Sequence, residues 1–343
     1  MNLGIEIPWS MNDVIYYVVF NLSRAVLAFL QFDSYLYWPF LVSTIVLVVL
    51  IALQASINPK GIDWGGWRLK LLALVSPQLW WHPSARADYK LYICNALIHP
   101  ALMVPLLVSN NAFAGWLDGL LGVTNSAQAE GLEVGWGMRL AFTVAFFVAY
   151  DLGRFLAHWL QHDVPLLWAF HKVHHSAEVL TPITSFRLHP VDLLLMAWIP
   201  TLLTGLTTWF FNRLSGGSVD VFSFLGLHVI IWTFNLVDNL RHSPVWLSYG
   251  TRVGQWLVSP AHHQLHHSME PVHWGCNLGS NLAIWDRLHG SLYVPGSRPE
   301  KFRMGLGDGS EARWHGLSTI YFQPFRESFQ CAKELVKKKR SQV

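Results

Sequence analysis

Charge is scarce in this sequence. Asp, Glu, Lys and Arg make up 13% of its 343 residues, about half the share usual in soluble domains. That argues against a soluble enzyme, and a hydrophobic content of 52% excludes a disordered chain. The net charge of +3 provides no broad basic face, so nucleic acid is not an expected partner. Cysteine is nearly absent. Cys94, Cys276 and Cys331 stand far apart and form neither a disulfide framework nor a CxxC metal site. No Lys or Arg precedes Arg24, so the charged start of a signal peptide is not expected.

Apolar runs and tryptophan are plentiful. The mean hydropathy is +0.31, and the chain carries 18 Trp. Trp64, Trp67, Trp80 and Trp81 lie just outside an apolar run, as an interfacial belt would. A membrane-crossing helix needs roughly 20 mostly apolar residues. Candidate stretches are about 14–32, 35–54, 91–108, 138–157, 191–211 and 221–238. Lys60, Arg68, Lys70, Arg86 and Lys90 crowd the segment 55–90, whereas 109–137 has Asp118, Glu130 and Glu133 with no Lys or Arg. The positive-inside rule then places 55–90 in the cytoplasm, and alternation places 158–190 and 239–343 there too.

The expected fold is all-α: a polytopic integral membrane helical bundle of about four to six spans with a cytoplasmic histidine-rich helical cap. Three parts are expected. Residues 1–137 hold N-terminal membrane helices and a cytoplasmic loop, 138–295 the histidine-bearing domain, and 296–343 a cytoplasmic basic tail. The ending "KKKRSQV" carries no endoplasmic-reticulum retrieval signal and favours a bacterial inner membrane over the endoplasmic reticulum.

Fourteen of the 17 histidines lie between His158 and His289, nearly all in the two stretches assigned to the cytoplasm. "HWLQH" places His158 and His162 at i, i+4. "HKVHH" places His171, His174 and His175 at i, i+3, i+4. "SPAHHQLHH" repeats that spacing with His263, His266 and His267, and adds His262. Each box therefore presents its imidazoles on one side of a short helix. Pro165 and Pro260 suit first helical positions, and Ser259 an N-cap. Imidazole suits iron, zinc and copper. The absence of thiolates excludes a structural zinc finger or an iron–sulfur site. Eight imidazoles are too many for one metal and suit two. His82, His99 and His315 read as structural.

These residues resemble the fatty acid hydroxylase and sterol desaturase superfamily over roughly 138–295. "YDLGRFLAHWLQHDVPLLWAFHKVHHS" is similar to the family's first two histidine boxes. "SFRLHP" resembles a following R-x-HP segment, "LRHSPVWLSYG" another ligand-bearing segment, "VSPAHHQLHHS" the last box, and "GCNLGSNLAIWDRLHGSLYVP" the family's tail motif. The sequence departs from the family at Gly275, where an Asp is frequent, at His289, where a Phe is, and at Pro244, where an Asn is.

The resemblance implies two non-haem irons with O2 as co-substrate, and hydroxylation or desaturation of a lipid such as a fatty acyl chain, sterol or ether lipid. The implied ligands are His158, His162, His171, His174, His175, His189, His242, His263, His266 and His267. The roles of His228, His262 and His273 stay open. The implied partners are a lipid from the bilayer and a separate electron donor: a reductase, ferredoxin or cytochrome. No HPGG segment marks a fused carrier. Lys172, Arg241, Arg252 and the basic tail are candidates for docking the donor.

Candidate acceptors for ring N–H groups are Asp151, Asp163, Glu178, Asp192 and Asp286. The alternatives are a zinc-dependent membrane hydrolase, which would usually carry an HExxH-like base motif absent here, and a metal-binding transport protein, which would place ligands near the midplane of its spans.

Overall fold

The computed structural model describes residues 11–58, 61–62, 64–103, 106–121 and 134–340. Lys60, Glu130, Glu133 and the last three residues of the basic tail lie outside them, as do the side chains of Trp64 and Trp67. The described chain is mostly helical. In order come α1 (Met11–Val26), α2 (Trp38–Gln54), α3 (Trp64–Leu74), α4 (Pro77–Trp80), α5 (Pro83–Ile98), α6 (Asn110–Leu120) and α7 (Trp136–Asp163). Then follow α8 (Pro165–His175), α9 (Pro190–Ser215), α10 (Val229–Asp238), α11 (Gly250–Val253), α12 (Pro260–His266), α13 (Ile284–His289) and α14 (Leu317–Arg340). Two minimal hairpins pair Ile57–Asn58 with Gly61–Ile62 and Ser223–Phe224 with Leu227–His228.

Local chemistry sets the boundaries that matter for the site. Proline occupies the first turn of α5, α8, α9 and α12, where its missing N–H costs nothing. Ser259 and His262 form a capping box at the start of α12. The α9 helix stops at Gly216, and α13 at Gly290, both left-handed with φ of 73° and 89°.

Helices α7 and α9 are the frame. They are the two described helices long and apolar enough to cross a membrane. They meet where Gly153 faces Pro200, so closely that a Cβ on Gly153 would lie 2.5 Å from the Pro200 Cα. Only 39% and 22% of their most apolar windows are buried. The exposed sides are continuous stripes at i, i+4: Trp136, Leu140, Val144 and Val148 on α7, and Leu202, Leu206, Phe210 and Leu214 on α9. A water-facing helix would carry polar residues there; these faces suit lipid.

The other expected spans are shorter or interrupted. Helix α2 has 17 residues and α10 has 10. The stretch 221–238 begins with the hairpin turn at Leu225 and Gly226, both at positive φ, so its helix starts only at Val229. The 91–108 stretch changes from α5 to a π-turn at His99–Met103, where Pro100 cannot donate a backbone hydrogen bond.

The histidine-bearing helices sit at the C-terminal end of α7. A packed cluster of Ala87, Leu91, Val173, Trp314 and Ile320 clamps α8 between α5 and α14. Arg187, fully buried, staples the same elements. It donates to the Val173 carbonyl at 2.8 Å, to Asp88 Oδ1 at 2.7 Å, to Ser176 Oγ at 2.8 Å and to the Trp314 carbonyl at 2.9 Å.

Candidate metal centre

Nine of the ten expected histidine ligands converge into two adjoining groups. His158, His162, His171, His175 and His266 form one; His174, His242, His263 and His267 form the other. Within each group the ligand nitrogens lie within 4.8 Å of one another. The groups touch where the His175 and His267 rings stack with centroids 4.7 Å apart.

Each HxxHH box is divided between the groups. On α8, His171 and His175 (i, i+4) face the first group and His174 the second. At the third box, His263 and His267 (again i, i+4) face the second group and His266 the first. Successive residues turn by about 100° in an α-helix. Positions i and i+4 are therefore about 40° apart, while i+3 lies about 60° to the other side. The expectation that each box presents its imidazoles one way holds for His158 and His162, which share the first group, and is corrected for the two HxxHH boxes, each of which is divided between the groups.

The tautomers can be read from the partners. His158 Nδ1 lies 2.7 Å from the Leu278 carbonyl and His266 Nδ1 lies 2.7 Å from the Cys276 carbonyl. A carbonyl only accepts, so both Nδ1 atoms carry the proton and both Nε2 atoms are bare. His171 Nδ1 lies 3.0 Å from Asp192 Oδ1, and donating to that carboxyl group would bare its Nε2 as well. His242 Nδ1 lies 2.9 Å from Ser185 Oγ.

The Nε2 atoms converge on each other. His158 Nε2 and His171 Nε2 are 3.1 Å apart, and His263 Nε2 and His242 Nε2 are 2.9 Å apart. At that distance two lone pairs repel unless a proton or a metal cation lies between them. Ligands bound at roughly 2.1 Å in a square arrangement stand about 3 Å apart, which matches these edges. His162 Nε2 and His266 Nε2 are buried with no hydrogen-bond partner among the described residues. Such a donor set fits a metal ion in each group.

Electrostatics keep the rings neutral, as ligation requires. Burial, with help from neighbouring His266, pushes His174 down to about 3. Burial pushes His266 down to about 4. His171, His175, His242, His263 and His267 are held well below the ordinary imidazole value, chiefly by burial and then by neighbouring histidines, with Arg241 adding to the effect on His242.

His189, expected as a tenth ligand, stands outside both groups. Its Nδ1 accepts from the Val191 N–H at 3.1 Å and its Nε2 donates to the Tyr321 carbonyl at 3.2 Å. Both nitrogens are occupied by backbone, and the residue caps α9. His228 does the same for α10, with Nδ1 on the Ile230 N–H and Nε2 on the Thr143 carbonyl. His262 spans the Ser259 N–H and the Gly254 carbonyl. His273 Nδ1 meets Ser268 Oγ at 2.9 Å. The residue of "SFRLHP" that organises the site is Arg187, by way of Val173 and Ser176 on either side of His174 and His175.

Of the expected acidic acceptors, Asp192 alone touches a histidine of either group. Asp286 instead accepts from the Leu278 and Gly279 N–H groups, each at 2.7 Å, and so fixes the carbonyl that orients His158. Asp151 accepts from Asn281, Leu282 and Trp285 on the same strap. Glu178 pairs with His315 at 2.6 Å. Asp163 ends α7. The Cys276 and Leu278 carbonyls carry no signal in the sequence, because backbone oxygens have none; Ser185 opens "SFRLHP", but nothing in the sequence pairs it with His242. Arg241, expected on a donor-docking surface, is buried against Asp238 and Asn281, and Lys172 is tied to Glu327.

Of two cavities, one is lined by histidines of the first group and the other by none of the nine. One, of about 460 Å³, is lined by His162, His175, His266, Trp159, Trp168 and Trp274. The other, of about 380 Å³, lies among α7, α9 and α10, with Tyr150, Arg154, Pro200, Ile231 and Asn281 in its wall.

Residues 143–291, which include all nine converging histidines, match the fatty acid hydroxylase family. The histidine-bearing segment is thus similar to the fatty acid hydroxylase family. An ornithine lipid hydroxylase of Rhizobium tropici is 31% identical over 211 residues, covering 61% of this chain and 56% of that one. A Delta(7)-sterol 5(6)-desaturase of Gibberella zeae is 30% identical over 163 residues, 48% of this chain and 45% of that one. An alkylglycerol monooxygenase of Xenopus tropicalis is 27% identical over 186 residues, 54% of this chain and 35% of that one. The chain thus spans about half or less of these relatives' length. No solved structure matches it.

Proposed function

We propose that the protein is a membrane-bound non-haem diiron oxidoreductase. It uses O2 and electrons from a separate donor protein to hydroxylate or desaturate a lipid drawn from the bilayer. The observation that carries this reading is the pair of buried all-imidazole groups, five and four, with ring nitrogens facing one another. Relatives named as lipid hydroxylases, sterol desaturases and alkylglycerol monooxygenases support it.

His158, His162, His171, His175 and His266 would hold one iron, and His174, His242, His263 and His267 the other. Bound iron supplies O2 activation and the oxidising power. The chain's own residues do the rest. Leu278, Cys276, Asp192 and Ser185 fix ring orientation and tautomer. The apolar packing around α8 keeps bulk water from the histidines. The cavity among α7, α9 and α10 receives the lipid from the side. Its walls come from the stretches 193–200 and 222–232, between the helices whose outer stripes suit lipid. The histidines lie at the cytoplasmic face of a bacterial inner membrane in this reading, with 1–137, 138–295 and 296–343 as membrane helices, catalytic domain and basic tail. No carboxylate belongs to either group, so a hydrolase of the HExxH type, with its glutamate base, is disfavoured.

Metal analysis by mass spectrometry on protein purified anaerobically in mild detergent tests this. About two irons per chain are expected in this reading, one for each group, with loss in His174→Ala. A chain that takes up no metal under any loading condition would overturn the reading.

A further inference from the structure

The cavity among α7, α9 and α10 has an unusual wall for a site between membrane helices. Phe146, Tyr150 and Arg154 line it at successive i, i+4 positions of α7, and His158 is the next step. Arg154 therefore stands one helical turn, about 6 Å along the axis, from a histidine of the first group. Ionisable side chains among membrane spans are costly and are kept where they bind something.

The other charges of this wall are already matched. Asp238 Oδ1 is 3.0 Å from Arg241 Nε, and Asp33 Oδ2 is 3.3 Å from Arg24. Asp151, one turn back from Arg154, spends both oxygens on Asn281, Leu282 and Trp285. Arg154 makes one hydrogen bond among the described residues, from Nε to Ser280 Oγ at 3.3 Å. Its two terminal nitrogens meet no protein acceptor there. They form a planar fork suited to a carboxylate or phosphate. At the far end, Phe146, Leu227 and Ile231 are apolar.

We propose that this cavity seats the anionic end of an amphiphilic lipid, with Arg154 as the recognising residue and Ser280 and Asn281 beside it. The substrate class is thereby narrowed to lipids bearing a carboxylate or phosphate, as opposed to neutral sterols or alcohols. This rests on the reading that the cavity receives the lipid substrate.

The test compares binding of palmitate, hexadecyl phosphate and hexadecanol, equal in chain length, to the iron-loaded full chain in a neutral maltoside detergent. Both anions are expected to bind at least about tenfold more tightly than the alcohol. The tighter of the two tells a free acid from a phosphate ester. Arg154→Gln, at wild-type iron content, is expected to bring the three affinities within about twofold, and Arg154→Lys to keep part of the preference. Should Arg154→Gln lose its iron, the wild-type ratio and Arg154→Lys decide. Equal affinity of acid, phosphate and alcohol, or a preference untouched by Arg154→Gln, would overturn the proposal. Iron content and O2 uptake are read on the same preparations. An anion preference in protein that binds no iron leaves the cavity site standing and removes the oxygenase reading. Iron-bound protein that consumes O2 without an anion preference does the reverse.

Discussion

His158 Nδ1 donates to the Leu278 carbonyl across 2.7 Å, joining the end of the longest helix to a strap 120 residues later. That carbonyl is itself fixed, because Asp286 Oδ1 accepts from the Leu278 N–H at 2.7 Å and Oδ2 from the Gly279 N–H at 2.7 Å. The strap also carries Cys276, whose carbonyl orients His266. Two histidines of the five-membered group thus depend on one carboxylate. Asp286→Asn would set an amide N–H2 against the two backbone donors. The expected outcome is a roughly 10–100-fold loss of affinity in that group. The four-histidine group would keep its metal, so chelator titration should resolve a weak and a strong site. Two sites weakened equally would contradict this division.

The three histidine boxes were legible because helical spacing is periodic and the boxes recur. The division of each HxxHH box between two groups was less so, because it depends on how α8 and α12 face one another. His189 shows the limit of reading by motif. It sits beside a proline in a family-like segment, yet the chain uses it to cap α9. The neighbouring Arg187, in the same segment, holds α5, α8 and the 310 turn at Trp314 together. Long-range acceptors such as the Leu278 carbonyl were invisible, since nothing in a residue's name says where its backbone oxygen will point. The apolar runs gave the two long helices well, and over-read 221–238, where Leu225 and Gly226 turn the chain before the helix starts.

Acid should destabilise the metal-free protein. In the unfolded chain each imidazole takes up a proton near pH 6.5. Folded, His266 and His174 resist protonation until about 4 and about 3, because burial opposes the charge. Between these values the unfolded state binds more protons. Stability is therefore present above about 6.5 and is lost as pH falls toward the folded values. Thermal denaturation of the metal-free protein in detergent should show its midpoint falling by several degrees from pH 7 to pH 5.5. A flat midpoint over that range would show that the rings are not buried neutral.

The Arg187–Asp88 pair is fully buried, with 2.7 Å between Nη1 and Oδ1. Removing one partner of such a pair strands the other charge, at about 3–5 kcal/mol. Arg187→Met should accordingly lower the thermal midpoint sharply. It should also reduce metal retention in both groups, because Val173 and Ser176 bracket His174 and His175. Adding Asp88→Leu should recover part of the stability, since the stranded carboxylate is then gone. A double variant no more stable than Arg187→Met would place the cost in the lost contacts to Val173, Ser176 and Trp314 instead.

Gly153 and Pro200 set how closely α7 and α9 approach. A Cβ at position 153 would meet the Pro200 Cα at 2.5 Å and its nitrogen at 2.9 Å. Both atoms are backbone, so no rotamer change relieves the contact, and the helices must separate. Gly153→Ala should cost about 1–3 kcal/mol as an overpacked contact, despite the better helix propensity of alanine. The separation would act one turn from His158 on the same helix and beside the cavity that Pro200 and Arg154 line. Lipid binding should therefore weaken more than metal binding does. Measuring the thermal midpoint, iron content and palmitate affinity together checks this. A variant as stable as the parent, with unchanged palmitate binding, would mean that the two helices do not meet as described.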